Sequence, residues 1–127
     1  MTDLLLDAGA LVAVERGNRE VWSVVRRSTD SGRFPVVPGV VVAQVWRGGA
    51  RQARLAQALA YVVELPAQPQ ECRDAGVLCG RTGTSDIVDA LVVVLAEQLG
   101  RDIVTSDPAD IGRLVDAAGS RSRVLAL

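Results

Sequence analysis

Apolar residues along this chain occur in two kinds of segment, which alternate from one end to the other. Short, continuously apolar runs are typical of strands that are buried on both faces of a parallel sheet. Longer segments, in which apolar residues recur every three or four positions, are typical of helices with one buried face. The predicted strands are residues 4–6, 34–37, 62–65, 102–105 and 123–127. The predicted helices are residues 10–17, 19–32, 38–49, 51–62, 69–83, 86–100 and 108–119. Strands separated by helices predict an α/β fold, a three-layer α/β/α sandwich with a parallel sheet of four or five strands.

Residues suited to helix ends support these boundaries. Gly17 follows the first predicted helix, where glycine readily adopts a left-handed conformation. Pro38 and Pro108 stand where a first helical turn tolerates proline, since that turn needs no backbone donor. Ser85 or Thr84 is placed to cap the helix that begins near residue 86.

Composition narrows the possible chemistry. A chain of 127 residues, 49% hydrophobic and 23% charged, is ordinary for one soluble globular domain. It contains no histidine, and all 14 basic residues are arginines. This excludes a histidine base, a histidine-ligated zinc ion, a Schiff-base lysine and a P-loop lysine. The net charge of −1 indicates no bulk attraction to nucleic acid or to an anionic membrane.

The two cysteines indicate a reducing compartment. Cys72 and Cys79 are seven residues apart in a predicted helix, about 10 Å along its axis, too far apart for a disulfide. We expect both to be free thiols that point inward with Ala75 and Leu78. No apolar run approaches the ~20 residues of a membrane span, and the N-terminus lacks a basic leader region. The sequence therefore predicts a cytoplasmic chain with no membrane segment.

Aspartates follow two of the predicted strands. Asp7 comes directly after residues 4–6, and Asp107 comes two residues after 102–105. Asp86 and Asp89 share one helix face, and Asp110 lies in the first turn of the last helix. Ligands of open parallel sheets bind at the carboxyl ends of the strands, where these carboxylates would converge if the first and fourth strands are neighbours. Aspartate is also common at strand ends and helix N-termini for structural reasons, so spacing alone leaves both roles open.

A carboxylate cluster of this kind is suited to a hard divalent cation. Each charge raises the pKa of its neighbours, and Mg²⁺ or Mn²⁺ relieves the repulsion. Such a site can hydrolyse a phosphodiester without histidine or lysine. Ser106, beside Asp107, is a candidate for orienting a water or a phosphate. Asp110 has two equal interpretations, a carboxylate that assists the metal and a residue favoured by the helix dipole.

In four segments the chain resembles the PIN domain, and in particular the VapC-type toxins of bacterial toxin–antitoxin pairs. The segments are LLLDAGALVAVERG, VVPGVVVAQVWRGGARQARLA, SDIVDALVVVLAEQLG and DIVTSDPADI. The resemblance implies one PIN-like domain over residues 1–127 with the strand order 3-2-1-4-5. It also implies a Mg²⁺- or Mn²⁺-dependent endoribonuclease that forms a homodimer and is neutralised by a cognate VapB-type antitoxin.

Site residues carry over from this resemblance position by position. Asp7 matches the first acidic ligand, Asp89 the helix ligand, and Asp107 the ligand after the fourth strand; these three are the predicted catalytic residues. Gln44 stands where the family usually has glutamate, so it can bind a metal or its water but adds no charge. Asp86 is the predicted compensating metal ligand. The alternative is a weakened or inactive PIN-fold binding module.

Three arginines follow Gln44 at helical spacing. Arg47, Arg51 and Arg54 are separated by four and three residues and would form one stripe on a continuous helix. Such a stripe is either a solvated surface or a contact for RNA phosphates or an acidic antitoxin segment.

Overall fold

Five parallel strands form one sheet in the computed structural model, which describes residues 3–127. The strand order is β3-β2-β1-β4-β5. The strands are β1 (Leu4–Leu6), β2 (Val36–Pro38), β3 (Val63–Leu65), β4 (Asp102–Thr105) and β5 (Val124–Ala126). This confirms the predicted α/β class and the PIN-like strand order.

Helices cover both faces of the sheet. Parallel neighbours cannot be joined by a tight turn, so each connection crosses over the sheet through a helical segment. The first face carries α1 (Ala8–Glu15), α2 (Arg19–Asp30), α3 (Gly39–Val45) and α4 (Ala53–Leu59). The second face carries α5 (Pro69–Thr82), α6 (Ile87–Leu99) and α7 (Pro108–Ala118). The crossovers change face after β3, when the chain returns past β2 and β1 to form β4.

The centre of the core is made of aliphatic side chains. Leu4–Leu6 in β1 are all buried, as are Ile103 and Val104 in β4. On the second face, α6 buries nearly a whole turn, Ala90, Leu91, Val92 and Val93. Burial of each such side chain contributes about 1.5–3 kcal/mol to the free energy of folding. The two central strands are therefore stable, and the residues at their ends are held in fixed positions.

Two predicted boundaries on the first face are wrong. Pro38 is the last residue of β2 and precedes α3, so it does not lie within the helix. The predicted helix 51–62 begins with a 3₁₀ turn, Ala50–Gln52, and its α-helical part ends at Leu59. None of the helices within residues 3–127 has the length and apolar character needed to span a bilayer.

The predicted inward face of α5 is confirmed at Ala75, Leu78 and Cys79 but is wrong at Cys72. Cys72 is exposed and Cys79 half-buried, although both are free as expected. Glu71 is buried in place of Cys72, in register with Ala75 and Leu78. Glu71 is drawn inward because its Oε1 accepts a hydrogen bond of 2.7 Å from the Gln68 backbone N–H, which closes a capping box.

Candidate active site

Two aspartates meet where the strand order reverses. β1 and β4 are hydrogen-bonded neighbours, with Leu6 paired to Val104. The Asp7 backbone N–H donates to the Val104 carbonyl over 3.2 Å, so the chain leaves β1 beside the end of β4. Asp107 follows β4 after Ser106. The crevice beyond the carboxyl ends of such strands is the usual ligand site of an open parallel sheet.

Three of the aspartates cap helices. The Oδ1 atoms of Asp7, Asp86 and Asp107 accept hydrogen bonds from the backbone N–H groups three residues on, over 3.0, 3.1 and 3.5 Å. These caps explain why α1, α6 and α7 begin here, and the positive helix ends favour the carboxylates. A carboxylate has two oxygens and about four acceptor sites, so capping leaves capacity for a ligand.

The predicted cap of α6 at Thr84 or Ser85 is therefore wrong. Asp86 is the N-cap residue, and it lies before the first turn. The Thr84 hydroxyl accepts a hydrogen bond of 3.2 Å from the Asp86 backbone N–H. Thr84 thus holds the turn that leads to the cap.

Asp89 has the most perturbed acidity at this site. Its pKa is raised to about 7, first by burial, then by the charge of Asp86 and a hydrogen bond with that residue, and further by the charges of Asp7 and Asp107. The four carboxylates therefore act on one another across the crevice, although they come from three separate parts of the chain. We call Asp7, Asp86, Asp89 and Asp107 the carboxylate site.

Asp7 is the most deeply placed member of the carboxylate site. It is only 5% exposed, and burial raises its pKa. A hydrogen bond with the Thr105 side chain and those from the Ala10 and Gly9 backbones oppose that rise, while the charge of Asp107 adds to it. Asp7 is thus held in a fixed orientation by several donors.

Thr105 connects the two sides of the site, a role that the sequence analysis missed. It is the fully buried last residue of β4, as its position predicted. Its hydroxyl accepts a hydrogen bond of 2.9 Å from the Asp107 backbone N–H and also interacts with Asp7. A hydroxyl residue at the end of an otherwise apolar strand, two positions before an aspartate, was the available signal.

The carboxylate site offers oxygen donors but no closed set of metal ligands. Among residues 3–127, no group of three histidine, cysteine, aspartate or glutamate side chains is arranged to hold a metal ion. The carboxylates lie within electrostatic range of one another without closing around one point. Mg²⁺ keeps several of its waters and commonly uses only one or two carboxylates, so the donors present are of the chemical type that such an ion takes.

Asp110 lies at the margin of the carboxylate site. It lines a cavity of about 110 Å³ together with Asp86, Asp89 and Arg113. Its Oδ1 accepts a hydrogen bond of 3.1 Å from the exposed Arg113 guanidinium, with which it forms an ion pair. Both interpretations of Asp110 therefore retain support, and the ion pair partly neutralises it.

Gln44 lies away from the hydrogen-bonded part of the site. It is an exposed residue near the end of α3, about 8 Å along the helix from the end of β2. Within residues 3–127 its side chain makes no hydrogen bond. No hydrogen bond therefore ties the amide to the carboxylate site.

Ser106 packs so closely against α1 that Gly9 has no room for a side chain. A Cβ atom on Gly9 would lie 1.9 Å from Ser106 Oγ, 2.8 Å from its Cβ and 3.1 Å from its backbone N. This contact fixes the spacing between the start of α1 and the turn that carries Asp107.

We expect Gly9→Ala to destabilise the protein by about 1–3 kcal/mol, because the new methyl group overlaps Ser106. The sign is informative, since alanine in a helix would otherwise be stabilising by up to about 1 kcal/mol. Urea denaturation measures the change. Adding Ser106→Gly to the same chain should recover most of the loss, and an unchanged or increased stability in the single variant would contradict the contact.

Arg47, Arg51 and Arg54 do not share one helix, so that part of the prediction is wrong, whereas their contact with RNA or an antitoxin stays a prediction. Arg47 lies in the loop after α3, Arg51 in the 3₁₀ turn and Arg54 in α4. Gly48 and Gly49 have φ angles of 80° and 93°, so the chain is not helical between Arg47 and Arg51. Periodicity across a pair of glycines therefore did not correspond to one continuous helix.

The loop between α3 and α4 is held by buried Gln52. Its Oε1 accepts hydrogen bonds from the backbone N–H groups of Arg47 and Gly48 over 2.7 and 3.0 Å, and its Nε2 donates to the Val45 carbonyl over 2.8 Å. The Arg47 guanidinium donates to the Trp46 carbonyl over 2.8 Å, so part of its donor capacity is used within its own loop.

Solved structures share this fold. A chain of the VapBC2 complex from Rickettsia felis, bound to a DNA fragment from its promoter, superposes with a TM-score of 0.76 at 12% identity, over 98% of each chain. A chain of DNA-bound VapBC from Salmonella typhimurium gives a TM-score of 0.72 at 14% identity, over 99% of this chain and 98% of that one. A toxin–antitoxin complex from Klebsiella pneumoniae gives 0.69 at 15% identity, over 85% and 89%.

Sequence comparison adds no closer relationship. No protein-family model matches the chain. No curated protein matches it either. At identities of 12–15%, the likeness to the solved structures establishes the PIN-like fold.

Proposed function

We propose that this chain is a VapC-type toxin, a PIN-domain endoribonuclease that cleaves RNA with the aid of Mg²⁺ or Mn²⁺. The observation that carries the proposal is the gathering of four aspartates at the carboxyl ends of the neighbouring strands β1 and β4, where the charges of the other three help to raise the pKa of Asp89. Asp7 is buried and Asp89 half-buried. Mutually repelling carboxylates that are withdrawn from water are costly unless a ligand relieves them, so perturbed groups of this kind mark functional sites. The shared fold with chains of VapBC complexes supports the same assignment.

In this proposal Asp7, Asp89 and Asp107 hold the cation, and Asp86 supplies the charge that Gln44 lacks. A bound divalent cation would supply charge stabilisation and an activated water for phosphodiester hydrolysis. The protein's own contribution is positioning. Thr105 orients Asp7 and the Asp107 turn, and the helix caps fix the carboxylates before substrate arrives.

The remaining parts of the assignment concern partners. We infer a cognate VapB-type antitoxin, because the similar chains come from toxin–antitoxin complexes. We also infer a homodimer that works in the cytoplasm on cellular RNA. Growth arrest on expression of the chain alone, relieved by co-expression of the antitoxin, is the expected behaviour in cells.

Cleavage of total RNA by the purified protein tests the proposed activity. We expect fragments only when Mg²⁺ or Mn²⁺ is present, and none from an Asp7→Asn protein purified in the same way. Mapping the fragment ends identifies the preferred sites. Equal cleavage by the wild type and the Asp7→Asn protein would overturn the assignment, since the activity would then come from a contaminant.

The second candidate is a PIN-fold binding module without catalysis, and Gln44 is the observation that favours it. The side chain is exposed, uncharged and makes no hydrogen bond within residues 3–127. This candidate predicts that calorimetry detects no binding of Mn²⁺ to the wild type.

We expect Gln44→Glu to raise the affinity for Mn²⁺ by about tenfold and to increase cleavage, because it restores the negative charge that the resemblance to VapC-type toxins implies at this position. Isothermal calorimetry and initial cleavage rates measure the two effects. Gln98→Glu is the matched control, since it adds the same charge at an exposed position near the C-terminal end of α6, away from Asp86 and Asp89 at its N-terminal end. An equal gain in both variants would show that the effect is general electrostatics.

A further inference from the structure

Four arginines surround a cavity of about 550 Å³ on the first face of the protein. Arg16 follows α1, Arg19 and Arg26 lie in α2, and Arg54 lies in α4. Trp22 contributes to the same lining. We call these five residues the arginine groove.

The arginine groove carries guanidinium groups without ion pairs in the described residues, although Asp30 lines the cleft beside Arg26. Arg33, Arg113 and Arg123 each form an ion pair with an aspartate. Within residues 3–127, none of the four groove arginines forms one. Four like charges around one cavity repel each other, so the groove suits a ligand that carries several negative charges along its length.

Aromatic side chains adjoin these charges. The indole of Trp22 is fixed by a hydrogen bond of 3.1 Å from its Nε1 to the Val14 carbonyl. Trp22 and Arg26 also line a smaller cleft of about 190 Å³ with Tyr61, which is 48% exposed. Arginines that bind phosphates beside aromatic rings that stack on bases are typical of sites for single-stranded nucleic acid.

A second cavity extends from the arginine groove towards the carboxylate site. Arg16 also lines a cavity of about 380 Å³ that extends past Ala13 and Gly9 to Ser106, the residue before Asp107. α1 has eight residues and separates the two regions by about 12 Å. A few nucleotides of an extended strand span that distance.

We propose that the arginine groove binds the backbone of single-stranded RNA on its way to or from the carboxylate site. The identity of the ligand rests on the proposed function, but the groove itself does not. Continuity with the carboxylate site favours RNA over an acidic protein segment, because a scissile phosphate at Asp7 would place neighbouring phosphates along α1. Arginine also matches phosphate geometry with paired donors.

Binding without cleavage tests the proposal. Fluorescence anisotropy with labelled 12-nucleotide oligo(U) and oligo(A), in EDTA and over a range of NaCl concentrations, measures affinity while any nuclease is inactive. The groove variant is Arg19→Gln with Arg26→Gln. The matched control is Arg27→Gln with Arg73→Gln, because Arg27 is the exposed neighbour of Arg26 in α2 and lies outside the groove.

We expect the groove variant to bind RNA about 10–30-fold more weakly near 0.1 M salt. The slope of log affinity against log salt should fall by about 1.4, since each phosphate contact to a single strand contributes about 0.7. The control pair should stay within about twofold of the wild type. A charge-conserving variant, Arg19→Lys with Arg26→Lys, should keep the salt slope but lose part of the affinity, because lysine lacks the paired donors of arginine.

Three outcomes would contradict the proposal that the arginine groove binds single-stranded RNA. The first is equal RNA affinity in the groove and control variants. The second is binding of a duplex RNA as tight as that of the single strand, and the third is binding of a glutamate-rich peptide with no binding of RNA. If the wild type cleaves RNA and the groove variant has the same KM, the groove proposal is wrong and the proposed function stands. Groove-dependent RNA binding with no cleavage would support the groove and overturn the nuclease.

Discussion

Asp89→Asn should abolish metal-dependent RNA cleavage, by about 1000-fold or more, and leave the protein at least as stable as the wild type. The loss corresponds to about 4 kcal/mol of transition-state stabilisation, the scale expected when a cation loses a charged ligand. Stability should not fall, because the asparagine removes a carboxylate that burial and the charges of Asp86, Asp7 and Asp107 disfavour. The cap of α6 survives, since Asp86 accepts its hydrogen bond from the backbone of residue 89.

Initial cleavage rates with Mg²⁺ and with Mn²⁺, together with thermal unfolding curves, measure the two effects. Asp116→Asn is the matched control, an exposed aspartate of α7 whose loss should change neither. If the Asp89→Asn protein cleaves RNA as fast as the Asp116→Asn control, the assignment of Asp89 as a catalytic residue is wrong. A large fall in its unfolding temperature contradicts the electrostatic account, because lost activity would then reflect unfolding.

Residues whose role depends on the ends of central strands could be predicted from the sequence. Leu4–Leu6 are apolar without interruption, so they had to be buried on both faces, and the aspartate directly after them had to lie at the sheet edge. The same argument placed Asp107 after β4. Adjacency of β1 and β4 then followed from the resemblance, not from the pattern itself.

Features that depend on exact helix phase or on tertiary contact could not be predicted. A capping interaction turned Glu71 inward and Cys72 outward, although periodicity allowed either. Thr105 looked like an ordinary strand residue until the structure placed its hydroxyl between Asp7 and the Asp107 backbone. In each case the deciding interaction is a hydrogen bond that residue type alone does not specify.

The net charge of −1 conceals two separated regions of opposite sign. Residues 86–110 contain six acidic residues and one arginine, and they include most of the carboxylate site. The arginine groove is assembled from α2, α4 and the residue after α1, so its four charges are dispersed in the sequence. A near-neutral total was therefore no argument against a polyanionic ligand, because ligands respond to the local field.

The free energy of unfolding of the metal-free protein should fall by about 2 kcal/mol between about pH 5 and about pH 8. Asp89 titrates near 7 in the folded chain and near its ordinary value of 3.8 when unfolded, so the folded state binds more protons between these limits. Stability therefore decreases as pH rises through that interval. A shift of about three units corresponds to at most about 4 kcal/mol, and solvent at the open edge of the site reduces this.

Urea denaturation in EDTA at several pH values measures this dependence, and the raised pKa of Asp7 acts in the same direction. Glu97 acts in the opposite direction, but its lowered pKa confines its effect below its ordinary value of 4.5. Asp89→Asn should flatten the profile, and millimolar Mn²⁺ should restore stability at about pH 8, because a cation favours the ionised carboxylates. A profile that rises with pH in EDTA would contradict the raised pKa of Asp89. A profile that Mn²⁺ leaves unchanged would show that the carboxylate site binds no cation, and that Asp7, Asp86 and Asp107 serve only as helix caps.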